Sequence, residues 1–302
     1  MTQHSYQMKH LYALCGISKQ GHYQMLRRIE EWKVKESLYV GLILQIREIH
    51  PAMGLRTMYD YYQPEGIGRD AFISIGLYYG FRVKAYRNLC RTTFSSPYSR
   101  YKNLLVDKIL TDINQLWTSD ITYFKVNDKF YYIVFVLDVY SRFIVGYSLA
   151  DNMRAENNII ALKMALKTRK QKKFKHELIH HSDRGSQYIS EAYVSLLNEA
   201  EISISMCNEV YENAHIERVN GTIKNQYLIY RNITNFDELA TELKKAIHTY
   251  NHQRPHSALK GLTPFAFEQY IKELNNENKP NLQIWTCDYS KNTKPNQTIL
   301  QF

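Results

Sequence analysis

"WTSDITYF" (117–124) and "FYYIVFVLDVY" (130–140) decide the fold. Trp117, Ile121, Tyr123 and Phe124 are strand formers, and the second stretch is richer still in Val, Ile and Phe. With "FIVGYSL" (143–149) they predict three consecutive strands. Asp120 stands inside the first of them, where an unpaired buried carboxylate costs several kcal/mol. Its presence there calls for partners elsewhere in the chain.

Downstream the grammar alternates. "RAENNIIALKMALKTRK" (154–170) reads as a helix with Ala155, Ile159, Leu162 and Leu166 on one side. "ELIHHSDR" (177–184) is a short strand, 191–200 a helix, "ISISM" (202–206) a strand and 214–230 a helix. Three strands followed by helix–strand–helix–strand–helix describe an α/β domain, a mixed sheet flanked by helices. Helices at 236–250 and 264–274 close it.

Upstream, residues 1–87 read as helical. "LYALCGISKQGHYQMLRRIEEW" (11–32) gives a helix, a turn at Cys15-Gly16-Ile17, an N-cap at Ser18 and a second helix. Leu38, Leu42, Ile46 and Ile49 mark a third helix before Pro51. "GLRTMYDYYQPEGIGRDAFISIGLYYG" (54–80) is a further helix pair, with Asp70 as cap and Gly80 as stop. Residues 88–113 form a basic linker, 114–274 the α/β core with its C-terminal helices, and 275–302 a polar tail.

The 302 residues carry 39 Lys plus Arg against 29 Asp plus Glu, a formal net charge of +10, which favours a polyanionic partner such as nucleic acid. No acidic residue occurs from Ala71 to Val106, while Arg82, Lys84, Arg87, Arg91, Arg100 and Lys102 do, interleaved with aromatics. That composition suits tracking of a phosphate backbone. The four cysteines are scattered without Cys-x-x-Cys spacing and read as reduced thiols. The N-terminus lacks the apolar core of a signal peptide, and the longest apolar run, 130–137, is too short for a bilayer. A cytoplasmic location without membrane contact is expected.

Asp183 falls at a strand end beside Gly185, and Glu217 in the first turns of the helix whose stripe is Ile216, Val219, Ile223, Tyr227 and Tyr230. Asn220, Gly221 and Lys224 share the face of Glu217. If the strands of Asp120 and Asp183 adjoin and the helix crosses nearby, three carboxylates meet. Two such charges about 4 Å apart repel by roughly 4 kcal/mol at an effective dielectric of 20, so the cluster takes up protons or binds cations. Oxygen ligands alone point to Mg²⁺ or Mn²⁺, two ions of which could serve phosphodiester chemistry.

"WTSDITYF", "HHSDRGSQYIS" (180–190), "ENAHIERVNGTIKNQYL" (212–228) and "YNHQRPHSALKGLTPFAF" (250–267) resemble, in order, the signature blocks of bacterial insertion-sequence transposases. The similarity is to the OrfB type of the insertion-sequence-three family, and 54–80 resembles the helix–turn–helix preceding its core. The resemblance implies an RNase H-like core of the retroviral-integrase kind. It also implies an Asp-Asp-Glu triad on Asp120, Asp183 and Glu217 holding two divalent metals, with double-stranded DNA, element ends and target, as substrate. It further implies a homo-oligomer on DNA and a fusion partner from an upstream reading frame. The alternative is an inactive DNA-binding relative that regulates transposition.

Two departures stand out. Between Asp183 and Glu217 lie 33 residues, where the family usually has about 35, a difference a loop can absorb because closure entropy varies slowly with length. Glu209 and Glu212 compete for the third position but precede the helical stripe. Val219 and Asn220 stand where many relatives carry aromatics. Expected DNA contacts are Lys224, Asn220, Arg82, Lys84, Arg87, Arg91 and Arg254, with the basic run "KTRKQKKFK" (167–175) divided between solvent and DNA. His180 and His181 are divided between the core and the site.

Overall fold

A computed structural model describes residues 7–84, 100–169, 176–207, 210–284 and 300–301, in two compact units divided after Lys84. Arg87, Arg91 and most of the 167–175 run lie outside the described residues.

The first unit is helical: α1 Met8–Leu14, α2 Lys19–Ile49, α3 Leu55–Tyr62 and α4 Arg69–Tyr78. Ser18 caps α2 by accepting from Gly21 N–H at 3.0 Å. The second and third helices expected there are one 31-residue helix: no Gly or Pro lies between Trp32 and Leu38, and Ser37, the one cap-type residue there, donates back to the Val34 carbonyl at 2.7 Å instead of capping a new start. Its buried face is Tyr39, Ile43 and Ile46, while Leu38 and Ile49 are exposed. Those three pack with Met53, Met58 and Phe72 of the small core. Asp70 is not the cap of α4: Gly68 holds that position, and Asp70 sits in the first turn paired with Arg69. Gly80 does stop the helix, at φ +77°.

The second unit is built on a five-stranded sheet. After the short β1 (Ile109–Leu110) come β2 (Leu116–Val126), β3 (Lys129–Asp138) and β4 (Ile144–Ala150), then α5 (Ala155–Arg169) and β5 (Ile179–Ser182). They are followed by α6 (Glu191–Glu199), β6 (Ser203–Met206), α7 (Ala214–Thr222), α8 (Phe236–His252), α9 (Pro264–Glu273), β7 (Asn281–Gln283) and β8 (Leu300–Gln301). The sheet order is β4-β3-β2-β5-β6, with β2–β3 and β3–β4 antiparallel and β2–β5 and β5–β6 parallel. That mixed order, with a leading three-stranded meander and helical crossovers to two parallel strands, is RNase H-like. Separately, β1 pairs with β7 and β7 with β8.

The continuous apolar run of β3 reflects burial on both faces. Ile133, Phe135 and Leu137 face α7 and α8, whose Ile216, Val219, Leu239 and Leu243 meet them. Val134 and Val136 face the other way, toward Ala161, Leu162 and Ala165 of α5. On β4, Gly146 allows close contact with α5, since a Cβ there would lie 2.2 Å from the Ala161 carbonyl oxygen.

The stripe of 214–230 holds through Tyr227, but Leu228 rather than Tyr230 is buried at its end. Ile223–Tyr227 form a π-helical turn, which adds a residue and rotates the later side chains off the stripe. At the far end of β3 the Asp138 carboxylate is fully buried. It accepts from the N–H groups of Asn114, Tyr140 and Ser141 and from Arg169, whose guanidinium also grips Glu268 of α9.

Candidate active site

The parallel ladder between β2 and β5 ends on Ser119 opposite Ser182. The next residue on the first strand is Asp120, and the next after the second is Asp183. Neighbouring strands lie about 4.8 Å apart, so the two acids leave adjacent backbones at the same level. Asp183 turns the chain: its Oδ1 accepts from Gly185 N–H at 3.0 Å.

The third acid arrives on α7, which is tied to β2 at two points. Asn213, just before the helix, donates to the Ser119 carbonyl at 3.2 Å. Asn220 donates to Asp120 Oδ2 at 2.7 Å. Glu217, one helical turn before Asn220, therefore lies on the face turned to Asp120. Lys224, the next turn on, is buried with its ammonium 5.0 Å from the centre of the Tyr123 ring.

The charges feel one another. Burial pushes the Asp120 carboxyl up to about 8, and the neighbouring charges of Asp183 and Glu217 push the same way, while the bonds from Ile121 and Asn220 oppose them. Burial also raises Asp183 and Glu217. Burial lowers Lys224, and Asp120 counteracts it. Asp120 and Asp183 are half-buried and Glu217 is exposed on α7 beside them, and together they offer an oxygen-only donor set, which fits a hard divalent cation. Among the described residues one other group of possible metal-ligating side chains, His181, Cys207 and Glu212, has its ligand atoms within 4.8 Å of one another.

The other singled-out residues are placed as follows. Asn220 is engaged with Asp120, and its own Oδ1 is buried without a hydrogen-bond partner. Arg254 donates to Gln226 Oε1 at 3.0 Å, linking the segment after α8 to the π-helical turn. Arg82 and Lys84 are exposed at the end of the first unit. His180 is a core residue bonded to Tyr193 OH at 3.0 Å, and His181 is bonded to Ser205 and Cys207. Sequence reasoning missed Asn213 and the His181–Cys207–Glu212 group. Asn213 carries a faint signal as the residue next to the helix start, where Asn is common.

Two integrase core domain family models match this unit, over residues 111–210 and 198–264. The insertion element IS600 uncharacterized 31 kDa protein of Shigella sonnei is 30% identical over 268 residues, covering 86% of this chain and 97% of that protein. Transposase InsF of insertion sequence IS3A from Escherichia coli K12 is 33% identical over 200 residues, 63% of this chain and 66% of InsF. The chain belongs to the IS3-family insertion-sequence transposases. The transposase is matched across both of its units by the IS600 relative, whereas the two integrase models fall within the second. Among solved structures, the HTLV-2 integrase catalytic core in complex with magnesium is 22% identical with a TM-score of 0.42, covering 52% of this chain and 97% of that one. Among the described residues of the transposase no helix is long and apolar enough to cross a membrane.

Proposed function

We propose that this DNA transposase cuts donor DNA at the ends of its element and joins the resulting 3′ hydroxyl to a second phosphodiester, using Asp120, Asp183 and Glu217 as the catalytic triad. The observation that carries the reading is the convergence on one corner of the sheet: two acids directly beyond a paired Ser119–Ser182, and a third on the helix that Asn220 fastens to the first.

The same three carboxylates would hold Mg²⁺ or Mn²⁺, in two positions. When bound, such cations neutralise charge at the scissile phosphate and favour ionisation of the attacking oxygen. The chain's own contribution is to position the acids. Asn220 fixes the rotamer of Asp120, the Asp183–Gly185 turn fixes Asp183, and α7 sets the reach of Glu217. Lys224, over the Tyr123 ring and interacting with Asp120, would supply a positive charge for a phosphate oxygen at the same corner.

The helical first unit, with Arg82 and Lys84 exposed at its end, would read the terminal inverted repeats. A homo-oligomer would hold two ends, and an upstream-frame fusion partner would add a further DNA-binding element. The reading as an inactive regulator is not favoured, since all three acids are present.

Strand cleavage of end-sequence DNA tests the reading. Asp120→Asn and Glu217→Gln should each lower cleavage by about three orders of magnitude or more while DNA binding is kept. Unchanged cleavage in either variant would remove the mechanism.

A further inference from the structure

Next to the acidic corner lies a second cluster of different chemistry. His181 is on β5, two residues before Asp183; Cys207 directly follows β6; Glu212 lies in the turn before α7, five residues before Glu217. One ligand atom from each, a ring nitrogen, the sulfur and a carboxylate oxygen, lies within 4.8 Å of the other two. Cys207 Sγ is 3.1 Å from His181 Nε2. The other ring nitrogen, Nδ1, is 2.9 Å from Ser205 Oγ, which also accepts from Leu104 N–H at 2.9 Å. An imidazole ligand is oriented in this way, one nitrogen aimed inward and the other held by an outer polar group. His181 and Cys207 are buried, and Glu212 is half-buried.

We propose that His181, Cys207 and Glu212 bind Zn²⁺, at a site separate from the acidic triad. Thiolate, imidazole and carboxylate are the donors zinc takes, whereas Mg²⁺ takes oxygen. Zinc–ligand lengths at a tetrahedral angle set the donors about 3.5 Å apart. The observed spacings, from 3.1 Å to within 4.8 Å, bracket that value. On binding, the thiol proton leaves to solvent, and thiolate plus carboxylate match the charge of the ion, so no net charge is buried. A water on the Glu212 side completes the four ligands. The ion ties together the segments that deliver Asp183 and Glu217. The simpler arrangement of the same atoms is a His181–Cys207 hydrogen bond alone, in which Glu212 has no part.

The test uses Co²⁺ as a spectroscopic stand-in for Zn²⁺, titrated into the full-length chain in excess Mg²⁺ with a thiol-free reductant. The expected result is a single saturable step with near-ultraviolet thiolate-to-cobalt absorption and the visible bands of tetrahedral cobalt, both removed by Zn²⁺. Cys207→Ser should abolish the thiolate band. Glu212→Gln should keep it but weaken Zn²⁺ binding by at least about tenfold. Asp120→Asn should leave it unchanged, which keeps this outcome distinct from that of the triad. No thiolate band in the wild-type chain, or a band that survives Cys207→Ser through Cys15, Cys90 or Cys287, would overturn the proposal. So would affinity indifferent to Glu212→Gln, a variant that keeps the test decisive should Cys207→Ser not fold.

Discussion

Asn220 and Asp120, one hundred residues apart in the chain, are joined by a 2.7 Å hydrogen bond from the amide to the carboxylate. This bond couples α7, and with it Glu217, to the strand that carries the first acid. It also leaves one Asp120 oxygen outside that bond. Replacing Asn220 with Ala should loosen Asp120 and slow strand cleavage by about ten- to a hundredfold, with a higher Mg²⁺ requirement, as loss of an outer hydrogen bond to a metal ligand does. Cleavage rates across a Mg²⁺ titration measure both. An unaltered titration would show that Asp120 needs no such support.

Arg169 is the sole guanidinium in contact with both Asp138 and Glu268 among the described residues, in a pocket where all three are nearly shielded from water. Arg169→Met keeps most of the volume but strands two carboxylates. The expected loss is about 3–5 kcal/mol, because a buried charge without its partner keeps the full desolvation penalty. Urea denaturation gives the number, and a loss below about 1 kcal/mol would mean that water reaches the pair.

The contact of β4 with α5 depends on the missing side chain of Gly146. An alanine Cβ would lie 2.2 Å from the Ala161 carbonyl oxygen and 2.8 Å from the Ala165 nitrogen, both backbone atoms of a packed helix. Gly146→Ala should therefore cost about 3 kcal/mol as sheet and helix are forced apart. A stability equal to that of the unchanged chain, by the same denaturation curve, would contradict the close approach.

Burial in the core holds the His180 imidazole down to about 4. An unfolded chain takes up this proton near 6.5, so between pH about 6.5 and about 4 the unfolded state binds more protons than the native one. Stability contributed by His180 is thus complete above about 6.5 and falls as the pH drops, by about 3 kcal/mol at the lower end. His180→Gln should flatten that part of the profile. Denaturation midpoints through the acid range decide it, and a parallel slope in the variant would assign the acid loss to other groups.

Much of the architecture was legible because burial imposes periods on local sequence. The alternation of Ile133, Phe135 and Leu137 against Val134 and Val136 encodes a strand covered on both faces, and Ile216, Val219 and Ile223 encode a helix lying on one of them. The break between α1 and α2 could be read from Gly16 and Ser18. The continuity of α2 past Leu38 was not legible, since Ser37 is a cap-type residue and only the structure shows its hydroxyl bonded back to Val34. Periodicity failed at Tyr230, since a π-helical turn is not marked by residue type.

By itself, then, the order of residues determined the element sequence, the positive charge and the three acids at strand and helix positions, all of which follow from local burial and composition. Only the tertiary structure decided that Asn220 serves Asp120, that Arg254 bonds Gln226, and that His181, Cys207 and Glu212 stand together. Those relations join backbones distant along the chain, and hydrogen-bond geometry across a sheet leaves no period in the sequence to read.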